Sequence, residues 1–201
     1  MDELELLKRR WQAQESSLPN YKSTEIYEML HKKSSSIVKW IFLISIFEFI
    51  FWIVIEFIGM SQSVNDSIKE LDLQTFYRVT LVVNYVVIIA FIVKFFYNYR
   101  QIQTTDTVKS LMKTIVKTRQ TVKYYVWFNI IFFAVTFIVS VIVTLNHLDN
   151  INSQNFWLSI LISIAILGFI ILIIWAFYRL LYGILTKRLL TNYKNLKKIE
   201  L

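Results

Sequence analysis

Four continuous apolar runs, Ile37–Ile58, Phe76–Tyr97, Tyr124–Leu145 and Phe156–Leu181, divide the chain, and the polar stretches between them are short, long and short in turn. Each run is long enough to cross a hydrocarbon core of roughly 30 Å as a helix, the one open-ended element that satisfies its own backbone groups without water. The runs are rich in Ile, Val and Phe, yet they do not alternate with polar residues and are about twice the length of a barrel strand. The pattern predicts an all-α polytopic membrane protein with four transmembrane helices. Its parts are a cytoplasmic N-terminal segment at 1–36, a transmembrane domain at 37–181 and a cytoplasmic C-terminal helix at 182–201.

Helical periodicity continues outside the runs. Asp2 can cap a first helix with Glu5 three residues on, and Leu4, Leu7 and Trp11 then share a face before Pro19 interrupts. A second helix over about 24–34 places Ile26, Met29, Leu30 and Lys33 together. In the long central segment, Val108, Leu111, Met112, Ile115 and Val122 follow helical spacing, while Lys109, Lys113 and Lys117 form a basic stripe at i, i+4 and i+8. This predicts a basic amphipathic helix over about 104–122, suited to a membrane surface. Leu181, Leu185, Leu189, Tyr193 and Leu196 extend the apolar stripe of the fourth run. Val38-Lys39-Trp40 recurs as Val122-Lys123-Tyr124, and Phe96-Tyr97 as Phe177-Tyr178, which suggests a parallel twofold repeat of helix, span, loop, span.

Composition agrees with the membrane reading: hydrophobic residues make up 56% of the chain and its mean hydropathy is +0.50. Charge adds the orientation. Of 22 Lys and Arg residues, all except Lys69 and Arg78 fall in the N-terminal, central and C-terminal segments, which four spans place on one side. The positive-inside rule makes that side cytoplasmic and puts both termini there. Trp40, Trp52, Tyr77, Tyr97, Tyr124, Trp157, Trp175 and Tyr178 lie towards span ends, where interfacial anchors belong. The net charge of +8 therefore points to anionic lipid headgroups rather than nucleic acid, because the basic stripe lacks the interleaved aromatic residues of a base-stacking platform. The N-terminus lacks the apolar core of a signal peptide, so the first span is expected to direct insertion.

Polar residues inside the runs are the candidate functional positions. At 1.5 Å per residue, Glu48 lies about 16 Å from the cytoplasmic edge, and Asn84, Thr136 and Ser163 about 18 to 21 Å from it. These four are expected to form one intramembrane layer, with Asn84 donating to the Glu48 carboxyl. Glu56 and Arg78, near the outer ends of neighbouring spans, are expected to pair. Lys94 is close enough to the surface to snorkel. One Pro and three Gly leave few means of building broken helices or close helix contacts.

No catalytic, cofactor-binding or metal-binding residue is expected. The chain has no cysteine, its two histidines, His31 and His147, fall on opposite sides of the bilayer, and no nucleophile elbow, phosphate loop or dinucleotide fingerprint occurs. The opening MDELELLKRRWQAQE and the later EIYEMLHKKSSSIVKWIF resemble a group of uncharacterised four-span proteins of flavobacteria and related Bacteroidetes. Such proteins are often labelled beta-carotene monooxygenases, an activity whose family uses several histidines around a non-haem iron; this chain departs from that requirement. The N-terminal motif also resembles that of membrane-bound anti-sigma regulators, which implies that residues 2–16 hold a cytoplasmic factor. Three functions stay open. The first is a non-enzymatic accessory or scaffolding subunit that binds a protein partner or its own copies in the bacterial plasma membrane. The second is such an anti-sigma-like regulator. The third is a small channel or proton-linked carrier using Glu48.

The absence of native cysteine makes the orientation directly testable. In intact cells a membrane-impermeant maleimide should label Glu70→Cys but reach Lys194→Cys only after permeabilisation; the opposite pattern would reverse the topology.

Overall fold

A computed structural model describes residues 4–5, 7–8, 23–60, 62–147 and 153–200. Its elements are α1 (Ser23–Gly59), α2 (Gln62–Glu70), α3 (Gln74–Gln103), α4 (Val108–His147), α5 (Ser153–Tyr178), a π-helical turn (Arg179–Gly183) and α6 (Ile184–Glu200), with no strand among the described residues. Four helices are long and apolar enough to cross a membrane: α1, α3, α4 and the continuous rod formed by α5, the π turn and α6. At 1.5 Å per residue the 37 residues of α1 and the 40 of α4 reach about 55 and 60 Å, well beyond an apolar layer. The surplus carries most of the lysines and arginines, and that end of the molecule is called here the basic end.

The two ends follow opposite rules of burial. At the basic end α1 presents Leu30, Ser34, Ile37, Ile41, Ser45 and Glu48 to the interior, a spacing of threes and fours. Phe95, Asn98 and Ile102 of α3, Leu111, Ile115, Thr118, Val122 and Tyr125 of α4, and Leu189, Asn192 and Leu196 of α6 meet them in the same rhythm. This is the seam of a four-helix bundle. Around it α1 packs on α3, α3 on α4, α4 on α5 and α6, and α6 back on α1. Towards the other end, the loop end, the most apolar stretches of α4 and α5 bury nothing within the protein, leaving Ile131, Val135, Leu161, Phe169 and Leu172 on the surface. In lipid those residues gain nothing by leaving their surroundings for a protein core.

Polar cross-links register the basic end. Asn192 Nδ2 donates to Ser34 Oγ at 3.1 Å, and Asn98 Nδ2 to Thr121 Oγ1 at 3.2 Å, both buried. The His31 Nε2 to Ile102 carbonyl bond is 2.7 Å, and the Tyr27 hydroxyl donates to the Thr105 carbonyl at 3.0 Å, so the start of α1 is tied to the α3–α4 connection.

Several expectations are altered by these contacts. The helix read over 24–34 is the first part of α1, and it buries Leu30 while leaving Met29 exposed. The basic helix read over 104–122 is the first part of α4, packed upright in the bundle rather than lying in a membrane plane, because its apolar face covers the core. The boundaries at 36/37 and 181/182 thus mark changes in composition inside continuous helices. Helix α2, with Asp72 in the left-handed region at φ 52° after it, occupies what reads as a simple loop. Leu4 and Leu7 are helical and exposed, and Trp11 lies outside the described residues.

This arrangement predicts unequal responses to truncation. Leu189→Ala, fully buried at the basic end, should lower stability in detergent by about 2–5 kcal/mol. Leu161→Ala, on the lipid-suited face, should leave the unfolding midpoint nearly unchanged, and equal losses would disprove the two-zone packing.

Candidate functional site

Glu48 closes the interior stripe of α1 where the tight seam gives way to the looser loop-end half. Its Oε1 accepts a hydrogen bond from the Tyr178 hydroxyl at 2.5 Å and its Oε2 one from the Tyr182 hydroxyl at 3.0 Å. Tyr125 of α4 stands edge-on to both rings, with centroids 6.0 and 5.8 Å away, and packs in turn on Phe91 and Phe95. Glu48 is 3% exposed, and Tyr125, Tyr178 and Tyr182 are 1%, 4% and 1% exposed. A carboxyl group removed from water needs such donors, since an unmet polar atom in an apolar medium costs several kcal/mol, on the order of 2–7.

The local fold explains why two donors arrive together. Tyr178 ends α5 and Tyr182 lies in the π turn that follows, four residues on, so both rings point to the same side of the rod. A π turn widens the helix and displaces carbonyls from their usual partners. Thr186 compensates: its hydroxyl lies 2.8 Å from the Tyr182 carbonyl and 3.1 Å from that of Gly183.

A second carboxyl repeats the arrangement two turns further along α1. Glu56 accepts from the Tyr77 hydroxyl at 2.9 Å and from the Tyr85 hydroxyl, both on α3. Between the two carboxyl sites runs a series of cavities. One of about 470 Å³ is lined by Glu56, Tyr77, Thr80, Asn84, Thr136 and Ser140. The next, about 200 Å³, shares Asn84, Phe132 and Thr136 with it and ends at Trp52, Asn129 and Tyr178. Asn84 Oδ1 is buried there without a hydrogen-bond partner. Beyond Tyr178, on its basic-end side, a third cavity of about 170 Å³ is lined by Tyr178, Tyr182, Lys123 and Arg179. Tyr178 thus forms a wall of two cavities while its hydroxyl holds Glu48.

The expected layer of four polar residues separates into three places. Asn84 and Thr136 do share a cavity, but neither bonds Glu48, and Thr136 instead returns its hydroxyl to the Phe132 and Phe133 carbonyls. Ser163 lines a distinct apolar groove of about 390 Å³ with Phe137, Leu145 and Phe156. Depth along an axis says nothing about rotation around it, and the helices do not start from a common plane. Among the described residues Glu56 makes no ion pair with Arg78, which is exposed, because Tyr77 and Tyr85 occupy the face of α3 that meets α1. Lys94 is exposed. Lys109, Lys113 and Lys117 line one cavity with Tyr193, and Lys117 also reaches the Gln101 side chain and the Tyr97 ring.

Of the residues read as interfacial anchors, Tyr77 and Tyr178 hydrogen-bond carboxyl groups, and Trp40, Tyr97, Tyr124, Trp157 and Trp175 are exposed on the surface. The partners missed by sequence reading are Tyr85, Tyr125 and Tyr182. A visible signal existed for one of them: two tyrosines four residues apart at the end of the last apolar run. Among the described residues no three His, Cys, Asp or Glu side chains converge to hold a metal ion.

A family model described as "Domain of unknown function (DUF8845)" matches residues 24–201. No curated protein and no solved structure matches the chain.

Removing one donor tests the carboxyl site directly. Tyr178→Phe should cost about 1–3 kcal/mol by leaving Glu48 Oε1 unmet, whereas Tyr124→Phe, on the exposed surface, should be neutral in the same detergent unfolding assay.

Proposed function

The chain belongs to the DUF8845 family, of unknown function, and we propose from its own site that it is a non-enzymatic, multi-pass protein of a bacterial plasma membrane that binds and passes protons at Glu48. The positive-inside rule places the basic end and both termini in the cytoplasm. The observation that carries the proton reading is the position of Tyr178, hydrogen-bonded to Glu48 and facing a cavity on each side.

In this reading the Glu48 carboxylate exchanges a proton with either cavity through the Tyr178 hydroxyl, whose ring lines both, with no net change in the protein after a cycle. The Tyr178 and Tyr182 hydroxyls each hold one carboxylate oxygen. Asn84, Thr136 and Glu56 extend a polar route to the loop end, in cavities roomy and polar enough for ordered water.

A second reading is favoured by a different feature. The basic-end bundle displays Lys109, Lys113 and Lys117 around Tyr193, a surface suited to an anionic protein partner, as an accessory or scaffolding subunit would need. The exposed Leu4 and Leu7 suit the regulatory variant of this role, in which residues 2–16 hold a cytoplasmic factor.

Reconstitution into vesicles containing a pH-sensitive dye distinguishes the two. Under a potassium diffusion potential the wild-type protein should acidify the lumen faster than empty vesicles, and Glu48→Gln, which keeps the size of the side chain but cannot take up a proton, should abolish the excess. Flux equal to that of empty vesicles would reject proton passage and leave the partner-binding role, and flux retained by a well-folded Glu48→Gln protein would reject Glu48 as the carrier.

A further inference from the structure

We propose that the cavity of about 170 Å³ between α4 and the π turn binds the phosphate headgroup of an anionic membrane lipid. Its lining contains two cations, Lys123 and Arg179, and two indoles, Trp127 and Trp175, and no acidic residue. Lys123 immediately precedes the apolar run of α4, and Arg179 is the first charged residue after the apolar length of α5, so both cations stand near the basic-end limits of the apolar stretches. A basic pocket between helices at that level is the kind of site that holds lipid phosphate.

The geometry prepares Arg179 for this ligand. Its guanidinium lies 4.8 Å from the centre of the Trp175 ring, a contact that restrains the side chain without using its N–H donors. Among the described residues neither Arg179 nor Lys123 makes an ion pair. Planar guanidinium donors bind phosphate oxygens in pairs, and the lysine ammonium adds a compact charge beside them. Thr186 contributes only a wall, because its hydroxyl hydrogen is directed at backbone carbonyls.

The surroundings select a lipid over a free anion. From Trp127 an exposed apolar stripe runs along α4 through Ile131, Val135, Ile138 and Ile142, and from Trp175 another runs along α5 through Leu172 and Phe169. Acyl chains attached to a bound headgroup would lie along these stripes, whereas inorganic phosphate would gain nothing from them. The inner wall is formed by Tyr178 and Tyr182. The site nevertheless stands on its own residues and does not depend on proton passage at Glu48.

Thermal unfolding of the full chain in a neutral detergent provides the test, with phosphatidylglycerol, phosphatidylcholine or inorganic phosphate added in turn. Phosphatidylglycerol should raise the midpoint in the wild type and in Lys109→Ala/Lys113→Ala, and should fail to raise it in Lys123→Gln/Arg179→Gln. Phosphatidylcholine and inorganic phosphate should have little effect. An equal rise with inorganic phosphate, an equal rise with phosphatidylcholine, or an undiminished response in Lys123→Gln/Arg179→Gln would each overturn the proposal. If the double variant is too unstable to melt cleanly, native mass spectrometry of the single variant Arg179→Gln replaces it. Fewer retained phosphatidylglycerol molecules than the wild type supports the site, and an equal number rejects it.

Discussion

A carboxyl group withdrawn from water must be met by hydrogen-bond donors, and in this bundle the donors for Glu48 come from tyrosines 130 and 134 residues further along the chain. That requirement joins the first long helix to the last at the place where the tight seam ends. It orients Tyr178 and Tyr182 inward, against the usual preference of such residues for the membrane interface. The π turn, the Thr186 back-bonds and the edge-on packing of Tyr125 all serve that junction.

The junction also separates two kinds of packing. Towards the basic end the helices meet water, so the hydrophobic effect drives Leu111, Ile115, Leu189 and Leu196 into a common core. Towards the loop end lipid is as apolar as the side chains, that driving force is missing, and α4 and α5 leave Ile131, Val135, Leu161 and Phe169 on the surface. Helix contact there depends on polar groups instead. Glu56 with Tyr77 and Tyr85 is the clearest case, and the interior that remains is partly open and polar.

These features converge on Tyr178. It holds the carboxyl, separates the cavities that lead towards Glu56 from the one beside Arg179, and ends the helix from which the π turn departs. A proton on Glu48 and a headgroup against Arg179 would therefore be felt by the same aromatic wall, although the two sites use different residues and different chemistry.

The four apolar runs, the uneven distribution of Lys and Arg and the amphipathic stripes at 108–122 and 181–196 were legible from the sequence, because length, hydropathy and helical period are local properties. Glu48 was legible as an outlier for the same reason. Its partners were not. Axial depth suggested Asn84, Thr136 and Ser163, but hydrogen bonds depend on how each helix is rotated and tilted, and these are set by packing between segments far apart in the chain. The sequence by itself therefore determined that the protein is a set of long apolar helices carrying carboxyl groups within an apolar run. Only the tertiary structure decided that tyrosines would meet it, that Glu56 would turn to α3 tyrosines rather than Arg78, and that cavities would flank Tyr178, because side chains find their neighbours only when the helices are assembled.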